Sequence, residues 1–237
     1  MHIAVWSGPR NISTALMYSF ASRKDVYAID EPFYAHYLEQ TGLLHPMRDD
    51  ILASQSQDSA AIIEEICAQR TDGRHIYHKH MTHHMLPSIP LDWLSRVKNV
   101  FLIRHPSQVI ASFAKKHQNP KLSDLGYERQ VELFDHILAS GATPIVIDGH
   151  DLQSDPEPVL KRLCSALELA FSNDMLTWAS GGKSCDGIWA KHWYGSVHAS
   201  TGFRAPSQAS VALSPELQAL EAQAMPFYSY MNTYCLK

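Results

Sequence analysis

The stretch S-G-P-R-N-I-S-T, Ser7 to Thr14, lies between an apolar run and a helix-forming one. A plain strand-to-helix turn needs only a bend and a cap. This one carries Gly8, Pro9, Arg10, Asn11, Ile12, Ser13 and Thr14. Backbone N–H groups at a helix N-terminus have no intrahelical partner and attract phosphate or sulfate oxygens. Arg10 adds a permanent charge whose planar fork matches such oxygens, and Ser13 and Thr14 add hydroxyl donors. The segment reads as an anion site; its plainer reading is a turn capped by Ser13. It is not a Walker A loop, because G-x-x-x-x-G-K-[ST] requires Gly at Ser13 and Lys at Thr14.

Two further clusters could do chemistry. Glu31 sits in D-E-P-F-Y-A-H-Y after a strand-like run. A carboxylate at a strand end, rimmed by Pro32, Phe33 and Tyr34, can be pushed above its usual pKa and so serve as a general base. The alternative is a helix-start carboxylate favoured by the dipole. I-Y-H-K-H-M-T-H-H-M-L-P contains Lys79 and His80, and five histidines fall from His75 to His84. His80 and His84 are four apart, yet no carboxylate completes H-E-x-x-H, so no metal is expected.

These residues must be positioned by elements that are themselves legible. Ile3–Trp6, Asp25–Asp30, His75–His80, Asn99–Arg104 and Pro144–Asp148 read as strands. Helical stretches separate them, which implies parallel strands joined by crossovers. Near-continuous apolar character in the first, fourth and fifth runs suits a sheet covered on both faces. Helices are expected from Ser13, over Asp58–Arg70, from Pro106, from Ser123 to Gly141, from Ser154, and from Ser214 to Tyr230. Pro226 should bend or end the last of them. Ala179 to Ser210 has no clear period and reads as a long functional loop or lid.

Composition narrows the function classes. Hydrophobic residues make up 45% and charged residues 19% of the 237, so a packed core is expected and disorder is not. Twenty Lys and Arg against 24 Asp and Glu give a net charge of -4, which argues against nucleic-acid or membrane-surface binding. The four cysteines form no C-x-x-C pair and suit a reducing, cytoplasmic setting. No signal peptide and no membrane span are expected.

The motifs carry a resemblance. P-R-N-I-S-T-A-L resembles the P-K-S-G-T-T-W-L signature of sulfotransferases that use 3'-phosphoadenosine 5'-phosphosulfate (PAPS). Arg10 falls on the basic residue, Ser13 and Thr14 on the hydroxyl pair, and Ile12 where the pattern has glycine. I-R-H-P-S-Q-V-I-A-S-F resembles the same family's 3'-phosphate motif, placing its arginine at Arg104 and its serine at Ser112. Arg104 ends a strand, and the C-terminal ends of parallel strands are where ligands bind. D-L-Q-S-D-P-E-P-V-L-K-R-L is similar to the family's later helix. G-G-K-S-C-D-G-I-W-A-K-H-W-Y loosely resembles the loop that closes over the nucleotide. The last match implies that Lys183 reaches the 3'-phosphate; the other reading is a solvated loop lysine.

The resemblance implies a single three-layer α/β domain over residues 1–237, with a mainly parallel central sheet of the P-loop nucleotide-kinase and sulfotransferase kind. It implies sulfuryl transfer from PAPS to a hydroxyl or amine of a small-molecule or carbohydrate acceptor, without a metal and with adenosine 3',5'-bisphosphate as product. Glu31 matches the base of heparan-type and several bacterial members. Cytosolic members carry a histidine base in K-T-H-L-P; aligning Lys79 with that lysine puts Met81 on the base position and makes His80 the second candidate. Lys79 would assist the leaving phosphate. Phe33, Tyr34, Tyr37, Trp189, Trp193 and Tyr194 would wall an acceptor cavity or pack the core. The rivals are a P-loop kinase or nucleotide hydrolase using ATP and Mg, and a non-catalytic nucleotide-binding protein. Acceptor identity and oligomeric state leave no mark on the sequence.

Overall fold

The five apolar runs pair into one sheet in the computed structural model, which describes residues 1–206 and 212–237. The strands are β1 (His2–Ser7), β2 (Val26–Asp30), β3 (His75–Met81), β4 (Lys98–Ile103) and β5 (Ile145–Asp148). Their order is β2-β3-β1-β4-β5, and every pairing is parallel. The crossovers carry α1 (Ser13–Ala21), α2 (Tyr34–Thr41), α3 (Arg48–Ser54), α4 (Ser59–Cys67), α5 (Pro106–Phe113), α6 (Leu122–Leu125) and α7 (Tyr127–Ala139). After β5 come α8 (Gly149–Ser154), α9 (Pro156–Ala166), α10 (Ala190–Trp193), α11 (Gly195–His198) and α12 (Pro215–Asn232). The architecture is a three-layer α/β sandwich.

Alternation along β1 shows why the strands are apolar throughout. Ile3 and Val5 enter one core with Leu16, Met17 and Leu160. Ala4 and Trp6 enter another, on the opposite face, with Phe134 and Trp93. Chain order reverses about β1: β3 and β2 lie to one side, β4 and β5 to the other. The loops leaving β1 and β4 therefore meet at the switch point, where open α/β sheets bind ligands.

Several elements differ from expectation. Instead of one helix from Ser123 to Gly141, α6 and α7 are separated by Gly126 at φ 74°. A side chain there would meet Thr82 Oγ1 at 2.6 Å, so local packing overrides the helical period. The helix expected from Ser154 starts after Asp155, because α8 occupies Gly149–Ser154. Pro226 does not end α12; beyond it, Tyr228 Oη donates to Asp148 Oδ2 at 2.9 Å and Met231 is buried, which holds the last turns in place. Within the stretch expected as a long loop or lid, Trp189, Ala190 and Tyr194 are buried in the first core. The last residues of that stretch, 207–210, lie outside the described residues.

Candidate active site

Arg10 and Ile12 in the first loop both have positive φ, 63° and 57°. Ile12 is the N-cap of α1 and makes no side-chain cap, so the first-turn N–H groups face outward without one. A β-branched residue in the left-handed region is strained by roughly 1–3 kcal/mol, and such strain concentrates at functional sites. Glycine adopts this conformation freely, which is the physical meaning of Ile12 in a glycine position. Pro9, Arg10, Ile12, Ser13 and Thr14 line a cavity of about 830 Å3. Gly8 and Asn11 do not line it. Gly8 is there for contact: a Cβ would sit 2.2 Å from the Leu125 carbonyl oxygen. Asn11 is buried beneath the loop.

Arg104 and Ser112 reach this loop from β4 and α5. Arg10 Nε donates to Ser112 Oγ at 2.9 Å. Arg104 donates from one η nitrogen to the Arg10 carbonyl at 2.8 Å, from Nε to Gln108 Oε1 at 2.9 Å, and from the other η nitrogen to Gln153 Oε1 at 3.0 Å. The Tyr127 hydroxyl fixes the Arg104 carbonyl at 2.7 Å. Among the described residues neither guanidinium forms a salt bridge. Burial pulls both pKa values down, although both groups remain cations at any physiological pH. Two partly buried cations with no salt-bridge partner among the described residues, beside a helix N-terminus, make a site for an anion of more than one charge.

Glu31 lines the same cavity. Its backbone N–H bonds the Lys79 carbonyl at 2.9 Å, prolonging the β2–β3 ladder. Lys79, 1% exposed, places its ammonium against Asp30 Oδ1 at 3.0 Å, the Tyr194 hydroxyl at 2.9 Å and Glu31 Oε1. An ammonium has three donors, and all three are committed. Glu31 Oε2 is left facing His84 Nδ1 at 3.8 Å, beyond hydrogen-bond reach. Burial raises the Glu31 pKa; Lys79 opposes the rise and Asp30 adds to it. For Lys79, burial pulls downward, but Asp30 and Glu31 outweigh it and hold the ammonium charged.

The description "sulfotransferase domain" belongs to a family model that matches residues 1–235. The chain belongs to the sulfotransferase family. It is 36% identical over 229 residues to branched-chain-amino-acid aminotransferase-like protein 1 of Arabidopsis thaliana, and 34% over 232 to protein 2 of the same name. These matches cover 97% and 98% of this chain but 41% of each relative, so the chain spans about two fifths of their length. Two solved structures share the fold. One is a sulfotransferase domain from the curacin biosynthetic pathway, with TM-score 0.53, 18% identity, and coverage of 94% of this chain and 97% of that one. The other is a sulfotransferase from Alicyclobacillus acidocaldarius, with TM-score 0.60, 11% identity, and coverage of 98% and 94%.

Some of the expected residues take other places. His80 is not at the cavity. Strand alternation turns it to the opposite face, where its ring stacks on Trp6 at 4.3 Å, so it is removed as a candidate base. Lys183 lies outside the cavity as well, over the Tyr18 ring with Nζ 3.4 Å from Ser22 Oγ. Lys79 lines the cavity, but its committed donors make it the holder of Glu31 rather than a free donor to a leaving phosphate. Tyr34, Tyr37, Trp193 and Tyr194 do line the cavity, whereas Phe33 and Trp189 are core. In the sequence His84 was weighed only with His80 as a possible metal ligand. It is clasped between Tyr34 and Tyr37, each stacked with centroids at 4.6 Å, and it lines the cavity next to Glu31. Gln108 and Gln153 were silent, since a glutamine carries no motif of its own. Among the described residues no group of three or more His, Cys, Asp or Glu side chains is arranged as metal ligands.

Proposed function

We propose that this chain moves a sulfuryl group from PAPS to a hydroxyl or amine of a small-molecule or carbohydrate acceptor. The observation that carries the reading is the meeting of Arg10, Arg104 and Ser112, from two distant segments, in one cavity that also holds buried Glu31. PAPS supplies an activated sulfur whose bond to the 5'-phosphate oxygen breaks as the acceptor attacks. The first-turn N–H groups with Ser13 and Thr14 hold the 5' end, and Arg104 with Ser112 takes the 3'-phosphate. Arg10, joined to Ser112 through Nε, lies between them and meets charge developing on the leaving phosphate. Glu31 Oε2 receives the acceptor proton; its raised pKa brings it closer to the working pH of a general base. Lys79 and Tyr194 fix that carboxylate by its other oxygen. Tyr34, Tyr37 and Trp193 offer apolar faces to the acceptor.

Equilibrium binding of adenosine 3',5'-bisphosphate tests the assignment. Arg104→Ala should weaken it roughly tenfold or more, the loss expected for hydrogen bonds to a charged group. Affinity within twofold of wild type refutes the site. The kinase alternative lacks the Walker lysine at Thr14; stabilisation against heat by PAPS rather than by Mg-ATP separates the two. All four cysteines are free, which supports a reducing, cytoplasmic setting.

A further inference from the structure

We propose that Gln153, together with Gln108, sets the nucleotide specificity of this site by aiming the Arg104 guanidinium without neutralising it. The inference rests on the PAPS reading above and names how that site selects a nucleotide carrying a second phosphate on its ribose.

A guanidinium has five N–H donors in a rigid plane. Arg104 commits three: Nε to Gln108, one η donor to the Arg10 carbonyl, and one to Gln153. One donor on each η nitrogen is left over for a ligand. All three partners are neutral. Elsewhere the fold treats a buried arginine differently. Arg23, 6% exposed, is clamped by both oxygens of Asp25, at 2.9 and 2.7 Å. A carboxylate makes the stronger partner, so amides on both sides of Arg104 sacrifice bond strength and retain a full positive charge.

Gln153 is itself held in one orientation. Its Nε2 donates to the Arg204 carbonyl at 2.9 Å, so only its oxygen can face Arg104. Arg204 and Phe203 line the same cavity, and Gln153 thus ties the strand-end arginine to the chain segment on its far wall. Gln153 is a positioning residue: its effect reaches the ligand through Arg104. The ligand that benefits is a ribose phosphomonoester dianion. A nucleotide with a 5'-phosphate alone gains little from Arg104.

Calorimetric titration with adenosine 3',5'-bisphosphate and with adenosine 5'-monophosphate tests this, alongside thermal unfolding. Gln153→Glu keeps the shape and the bond to Arg104 and cancels its charge, at the loss of the donor to the Arg204 carbonyl. It should lower bisphosphate affinity about tenfold or more and leave monophosphate affinity within about threefold, with a cooperative thermal transition showing that the fold is retained. Gln153→Ala should lose less of the preference, since charge survives and only aim is lost. Should Gln153→Glu fail to fold, Gln108→Glu repeats the test from the other side of the guanidinium. A Glu variant that retains the wild-type preference within twofold, or that loses both nucleotides equally, overturns the inference while the PAPS reading stands. A wild type that binds the two nucleotides equally removes the PAPS reading, and the inference with it.

Discussion

Glu31 shows how one carboxylate is divided between holding and reacting. Oε1 is bound to the Lys79 ammonium, and Oε2 faces His84 across 3.8 Å. Burial raises the Glu31 pKa, and Asp30, the second carboxylate on that single ammonium, adds to the rise while Lys79 opposes it. Glu31→Gln preserves volume and removes the proton acceptor. Affinity for adenosine 3',5'-bisphosphate should stay within twofold while PAPS turnover falls by roughly 10²–10⁴, the usual weight of general-base catalysis. Turnover near wild type would place the base elsewhere, with His84 the nearest candidate. The pH profile carries a sign. A base works only when deprotonated, so turnover rises with pH through the Glu31 pKa. Asp30→Asn removes one contributor that raises this pKa. The acid limb of the profile should therefore move to lower pH; a limb that stays put or moves up removes Asp30 from the account.

At the level of elements, the site depends on close approach between loops. Gly8 lies under the Leu125 carbonyl, and Gly126 lies against Thr82 and the Gly8 Cα. Gly8→Ala puts a methyl carbon 2.2 Å from a backbone oxygen that belongs to a short helix, so the chain must shift rather than a side chain rotate. Overpacking of this kind costs roughly 1–3 kcal/mol, measurable by urea unfolding, and should weaken nucleotide binding as the loop moves. Wild-type stability and binding in that variant would show that the contact is slack. The same packing explains what the sequence concealed. All five strands were legible, the first, fourth and fifth as the apolar runs that a sheet covered on both faces demands, the second and the His-rich third as strand-like runs between helical stretches. The α6–α7 break was not, because it answers to Thr82 and Gly8, far away in the chain. Nor were α2 and α3: only Tyr34, Ala35, His36 and Leu38 of α2 are buried, and the Ala35 N–H is capped by the Gln55 side chain, a contact no local pattern announces. Arg10 and Arg104 were legible as members of family motifs just after neighbouring strands, and Ser112 as a member of one on the helix that follows Arg104. Tyr194 was placed only as a wall or core aromatic; its hydroxyl meets Asp30 across 164 positions of sequence, and only the folded chain shows it.

For the whole molecule, the sheet separates the reactive cavity from a second core that holds histidines. His78 and His80 are buried on that far face, stacked with ring centroids 5.9 Å apart, and His78 Nε2 lies 3.4 Å from His2 Nδ1. No carboxylate forms a salt bridge with either among the described residues. Burial, and then neighbouring cationic groups, hold them neutral: His78 is pushed down to about 3 and His80 well below the ordinary histidine range. The unfolded chain takes up protons at these positions below about pH 6.5, whereas the folded one does not. Their contribution is therefore constant above that pH and declines below it, by up to about 1.4 kcal/mol per pH unit for each histidine, until the folded values are reached. His80→Phe replaces one ring with an aromatic that can still lie on Trp6 and does not titrate. Urea unfolding at pH 7.5 and at 5.5 should show a smaller loss of stability on acidification in His80→Phe than in wild type, by up to about 1 kcal/mol. Equal losses in the two proteins would mean that His80 takes up its proton in the folded state as readily as in the unfolded one, and that the far core is open to water.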